Sequence, residues 1–311
     1  LPAFITPGPW LATNRFNTHF VNAMTHTPLP PLLSPCASPL VLLEHVNLTQ
    51  PDQQLATLFY VVGLGFTRDP FLMVGLDNMW INVGRTQMHL PTRAPQRLRG
   101  RIGLTVPWLR QLPARLEPLR SALAHTEFEL RTVDDTLELR CPWGNTFIVH
   151  AGAPQQTLPG IAYVEFDVPA GTAEGIARFY ADGLGAPAEV RATQQGAPMA
   201  LVKLANGQSL RFAETAAPLP PYDGHHIQVY LDGAEPAHRR LQALGLVRRD
   251  RGPGDWRFVD LVDPADGRLL YQLEHEMRDL AHPLYGRRLV NRNPGQVQAA
   301  YRPGEDELPA G

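Results

Sequence analysis

Two residues able to bind a metal stand at matching places in two similar phrases. His45 opens HVNLTQPDQQLATLFYVVGLGF and Glu165 opens EFDVPAGTAEGIARFYADGLGA, a constant offset of 120 positions. A neutral imidazole and a carboxylate are both suitable donors for Fe(II), Mn(II), Zn(II) or Ni(II). Sulfur ligation has little to draw on, because Cys36 and Cys141 are the only cysteines. Two unpaired thiols give neither a metal knuckle nor a disulfide framework, and they point to a reducing, cytoplasmic setting. A formal charge of −2 with no basic run leaves no electrostatic footprint for nucleic acid or an anionic membrane. No apolar stretch is long enough to span a bilayer, and the opening residues are not expected to form a secretory signal. The expected partner is therefore a small molecule, with the chain a monomer or homodimer.

The elements that must position these donors repeat. Apolar and polar residues partly alternate from Leu42 to Leu48, as in a strand with one buried face. Pro51 then fits a first helical turn, and Leu55, Leu58, Phe59 and Val62 recur at helical spacing before Gly63 and Gly65 end the helix. This Gly-Leu-Gly is helix-ending chemistry, since no third Gly or Lys follows to make a phosphate loop. FLMVG, MWINVG and TQMHLP read as three short strands, so the unit is β-α-β-β-β. The same order can be traced three more times, starting at RGRIGLTVP, IAYVEFDVP and GHHIQVYLDG. The fold class is α+β.

A Gly- and Pro-rich stretch at 152–160 is the best boundary. The expected organisation is an irregular Pro-rich segment 1–39, within which Met24 reads as a natural start, then modules one and two at 40–152. Modules three and four follow at 160–277, and 278–311 is an arm expected to lie on that second domain.

Four such modules, an opening strand of the form His-apolar-x-apolar, and the helix endings FYVVGLGF and FYADGLGA resemble the vicinal oxygen chelate superfamily. CPWGN at 141–145 and DPADG at 263–267 are similar to that group's last-hairpin turn. The group includes glyoxalase I, the extradiol dioxygenases, fosfomycin resistance enzymes and bleomycin-binding proteins. The resemblance implies cup-shaped incomplete barrels, each built from two modules, with metal ligands on the first and last strands of each module. Carried over by position, the first-strand sites are His45, Arg101, Glu165 and His226, and the last-strand sites include His89, Ile148 and Phe212. In the last strand, RLLYQLEHE, the choice falls on Glu274, with Tyr271 and Gln272 as alternatives.

Two pairings of the modules remain open. If neighbours share a cup, neither cup collects four ligands. If modules one and four share one, the resemblance implies a set of His45, His89, His226 and Glu274 around a single divalent metal, with Fe(II) favoured and Mn, Zn or Ni as alternatives. The other cup then holds Arg101, Ile148, Glu165 and Phe212, with Glu165 expected to pair with Arg101. His275, Tyr271 and Tyr230 are candidates for proton transfer. The expected activity is a dioxygenase-like reaction on a small oxygen-bearing organic molecule. A glyoxalase-like isomerase or lyase and a non-catalytic binding protein are the alternatives.

Overall fold

The computed structural model describes residues 36–72 and 77–309. Residues 1–35, including Met24 and most of the Pro-rich segment, and the second half of FLMVG lie outside the described residues. Among the described residues, sixteen strands and four main helices follow the expected order four times. Module one comprises β1 (Leu40–Asn47), α1 (Gln53–Ala56, continued by a π-helical segment Thr57–Gly63), β2 (Thr67–Arg68), β3 (Asn78–Val83) and β4 (Thr86–Pro91). Module two comprises β5 (Gly100–Val106), α2 (Leu112–Leu116, flanked by 3-10 turns), β6 (Glu129–Val133), β7 (Thr136–Arg140) and β8 (Thr146–Ala151). Module three runs through β9 (Gly160–Pro169), α3 (Ala173–Arg178, continued to Gly183), β10 (Ala188–Ala192), β11 (Pro198–Lys203) and β12 (Ser209–Thr215). Module four runs through β13 (His226–Leu231), α4 (Glu235–Ala243), β14 (Val247–Asp250), β15 (Asp255–Val262) and β16 (Leu269–Asp279).

Asp52 caps α1 by accepting from the Gln54 and Leu55 amides, which satisfies two donors that a helix start leaves open. Gly65 and Gly185 end the two helical phrases at φ +81° and +71°, a conformation that glycine adopts without a Cβ penalty.

The strands form two eight-stranded sheets, ordered β14-β15-β16-β13-β1-β4-β3-β2 and β10-β11-β12-β9-β5-β8-β7-β6. Modules one and four thus share one sheet, and modules two and three share the other. The expected units 40–152 and 160–277 do not coincide with the sheets, because the first strands pair antiparallel as β1 with β13 and β5 with β9. Neighbouring modules are joined instead by their helices. Phe59 and Tyr60 reach Phe147 of module two, while Phe179 meets Phe258 and Tyr180 hydrogen-bonds His275 of module four. Arg115 of module two donates to the Gly63 and Val62 carbonyls, and Arg240 of module four donates to the Gly183 carbonyl. Each pair of modules therefore closes a helix end that would otherwise leave carbonyls without partners.

The C-terminal arm lies chiefly on module one, which corrects the expected placement on the second domain. The β3–β4 turn offers open backbone groups, and Asn291 satisfies both the amide and the carbonyl of Gly84 at 2.9 Å. Asn82 donates to the Val290 carbonyl, the Arg292 amide donates to Thr67, and Arg287 pairs with the fully buried carboxylate of Asp69 at 2.9 Å.

Arg115 also holds the Pro294 carbonyl of the arm. Arg115→Ala should cost about 2 kcal/mol, since hydrogen bonds from a charged donor to partly buried carbonyls are lost. A urea titration reads this as a lower midpoint at an unchanged slope.

Candidate metal centre

Strand β4 runs parallel to β1, and β16 runs parallel to β13. Asn47 is the register partner of both His89 on β4 and His226 on β13, while His45 sits opposite Gln87 and Gln228. Residues two apart on a strand share a face, so His45, His89 and His226 emerge together on the face opposite Ile227 and His275. One ligand atom from each of these three histidines lies within 4.8 Å of the others. His45 is buried, and its ring centroid is 5.8 Å from that of His89 and 5.9 Å from that of His226.

A bulge sets the orientation of His45. The β1–β13 register steps from Leu43–Val229 to His45–Gln228, which leaves Glu44 as the extra residue, and a bulge of this kind re-aims a side chain. The Glu44 carboxylate lies 2.5 Å from His45 Nδ1. Gln208, from the other sheet, holds the strand just before the bulge through both the amide and the carbonyl of Leu43. With Nδ1–H donated to Glu44, Nε2 carries the lone pair, and this buried atom has no hydrogen-bond partner. His89 is fixed in the opposite sense: its Nε2 donates to the Asn78 side-chain oxygen at 2.7 Å, which leaves Nδ1 as the acceptor. Trp80 stacks on His89 with centroids 3.8 Å apart. Both polar atoms of the fully buried Gln228 amide also lack a partner. Buried polar atoms left open are costly, and their concentration beside three converging imidazoles fits a group that binds among them. Carboxylate or amide partners on the far ring nitrogen are the usual support of metal-binding histidines.

The electrostatics favour neutral imidazoles. Burial, reinforced by His45, lowers His89 to about 3, and burial with the same neighbour lowers His226 to about 2. Burial opposes ionisation of Glu276, but the positive charge around it, to which the Arg278 and Arg257 guanidiniums contribute, outweighs burial and holds the carboxyl at about 2. A cup with neutral donor nitrogens and an ionised carboxylate presents the protonation states that metal binding requires.

The structure therefore brings His45, His89 and His226 together. Glu274 is the register partner of His226, with its carboxylate 3.8 Å from Nδ1 and paired with Arg257. Glu276, which the sequence reading passed over, is more deeply buried and stands 3.6 Å from His226 Nε2, held by Arg257 and Arg278. The register offers the signal that was missed. His89 lies two residues beyond Gln87, the partner of His45, and Glu276 lies two residues beyond Glu274, the partner of His226. Of the alternatives on that strand, Gln272 bonds Asp260, and Tyr271 lies under the Arg99 guanidinium against Phe166.

The candidates for proton transfer separate. His275 faces the helices, stacked on Phe258 and bonded to the Tyr180 hydroxyl at 2.6 Å. It is a satisfied core residue, because β16 alternates and Glu274 and Glu276 take the other face. Tyr230 follows Gln228 on the face of the sheet that carries the three histidines, with the field of Glu44 contributing, after burial, to raise its hydroxyl to about 12. On the second sheet Arg101 pairs with Glu165 at 3.0 Å, as expected, and Phe212 is stacked on Phe166 in the core. His150, lowered to about 4 by burial and by Arg211, bonds the Tyr163 hydroxyl.

No protein-family model matches the chain, and no curated protein matches it. Its fold does match solved structures. Glyoxalase I from Zea mays superposes with a TM-score of 0.52 at 13% identity, covering 77% of this chain and 92% of that one. A single-residue variant of the maize enzyme gives a TM-score of 0.53 at the same identity and coverage. A provisionally assigned dioxygenase from Bacillus subtilis gives 0.52 at 15% identity, covering 81% of this chain and 92% of that one. The chain thus shares the paired βαβββ fold of these structures.

The depressed histidines make acid stability a test of the site. Below pH 6.5, the ordinary imidazole value, the unfolded chain takes up protons that His89 and His226 refuse in the folded state. Stability then rises with pH wherever the unfolded state binds more protons. Calorimetry of the chelator-treated protein should show the melting temperature falling steadily from pH 6.5 toward pH 3, with a shallower decline in His89→Gln.

Proposed function

We propose that the chain is a metal-dependent enzyme acting on a small oxygen-bearing organic substrate, with His45, His89 and His226 as ligands to one divalent metal and Glu276 as the carboxylate beside it. The observation that carries this is the convergence of three buried imidazoles with the Nε2 of His45 left without a partner. A divalent ion held there would act as a Lewis acid toward paired substrate oxygens and, as Fe(II), would organise O₂ beside them. The protein's own contribution is orientation. Glu44 and Asn78 fix which nitrogen of His45 and His89 faces the cup, and Trp80 packs over His89. Arg257 and Arg278 hold Glu276 as a carboxylate.

Three imidazoles leave open positions, which supports a dioxygenase-like reaction with Fe(II). A glyoxalase-like isomerase is the second reading, supported by the nearness of Glu276, because a full set of four protein donors leaves less room for O₂ and substrate together. The second sheet, with an Arg101–Glu165 ion pair and Phe212 in the core, supports one working centre per chain.

Metal analysis of the purified protein should find one equivalent in the wild type and substoichiometric metal in His45→Ala and in His226→Ala. Glu276→Gln should weaken affinity by about tenfold or more, and Glu274→Gln should do so far less. Oxygen uptake by the Fe(II)-loaded protein over a panel of catechols separates oxygenase from isomerase. A native protein that folds without metal and resists reconstitution would refute the assignment.

A further inference from the structure

Alternation along β16 puts Glu274, Glu276 and Arg278 on the face that carries the histidines, and β15 sets Arg257 directly opposite Glu276 in the antiparallel register. One guanidinium thus stands across from the carboxylate and another two residues along its own strand. Both oxygens of Glu276 are taken: Oε2 accepts from Arg257 Nη2, and Oε1 accepts from Arg278 Nη2. Arg257 also donates its Nη1 to Glu274. Opposite charges facing each other across strands attract, and charge-assisted hydrogen bonds of this kind are the strong ones.

The Glu276 oxygen nearest the histidines is the one that Arg257 holds, since Oε2 lies 3.6 Å from His226 Nε2. Among the described residues, the ligand atoms that gather within 4.8 Å of one another belong to His45, His89 and His226, with no carboxylate oxygen in the group. Arginine and metal therefore compete for a single oxygen. We propose that Arg257, with Arg278 on the other oxygen, keeps Glu276 out of the ligand set, so that the metal stands on three neutral imidazoles and its open positions take an anionic ligand. A metal on neutral donors keeps its full double charge, whereas a carboxylate ligand would halve it, and the attraction for an incoming anion scales with that charge. This inference rests on the metal site proposed above and adds what the arginines do within it.

Co(II) titration of the chelator-treated full chain, followed by visible absorption, reads donor set and affinity apart from turnover. Glu276→Gln should leave the Co(II) bands unchanged. Its affinity falls only because two guanidiniums then stand beside the metal without their counter-charge. Arg257→Met frees Oε2, so the bands should change and Co(II) should bind about tenfold more tightly or better, as ligand charge sets affinity. Azide, the anionic probe, should bind the Co(II) form of that variant about tenfold more weakly than the wild type. An arginine with a merely structural role would not tighten metal binding when removed. In Arg257→Met with Glu276→Gln, the bands and the azide affinity should return to those of the wild type. The proposal is overturned by altered bands in Glu276→Gln, by unchanged bands in Arg257→Met, or by a gain that survives in the double variant. Should Arg257→Met fail to fold, the Glu276→Gln spectrum still decides. If Co(II) binds nowhere in the wild type, the metal reading falls and this inference with it, whereas Co(II) binding with altered Glu276→Gln bands overturns the role of the arginines alone.

Discussion

The antiparallel pairing of β1 with β13 is the constraint on which the site depends. It joins the first strands of modules one and four at the centre of one sheet, and each then recruits its own last strand in parallel. Only this arrangement sets Asn47 between His89 and His226. Had module one paired with module two, the histidines of β1 and β13 would sit in different sheets. The bulge at Glu44 adds the second condition, turning the carboxylate toward the ring it supports.

The two sheets are mechanically linked at that bulge. Gln208 belongs to the β11–β12 turn of the second sheet, yet its amide satisfies both backbone groups of Leu43 as well as the Ile161 carbonyl. A module with no donor set of its own thereby fixes the backbone of the one that has it. The helices do the reverse, since they bind each module to its sequence neighbour through shared aromatic contacts and capped carbonyls. Sheets and helices thus partition the chain differently, and this is why a boundary at 152–160 is apparent in the sequence without separating the sheets.

What was legible in the residues follows the strand period. His45, His89 and His226 were reached through the strand positions that the family resemblance implies, and the alternation of those strands turns His275 away from the cup. It could not choose between Glu274 and Glu276, which share a face; only the register across β13 distinguishes them. Pairing of modules was open because every first strand has a similar apolar pattern, and partners are chosen by long-range packing. The arm had no period to read, and its position is set by scattered side-chain to backbone bonds at Gly84, Asn82 and Thr67.

The nesting of one module pair inside the other also orders events in time. β5 and β9 are joined by a short span of chain, whereas β1 must find β13 across about 180 residues, a closure that carries a larger entropic cost. As the chain is synthesised, the inner sheet has all its strands while β1 still lacks β13. The three imidazoles converge only when the last quarter of the chain arrives. A cup of this kind is assembled late, upon a scaffold already in place, and an interrupted chain would keep the scaffold and lose the convergence of the three histidines.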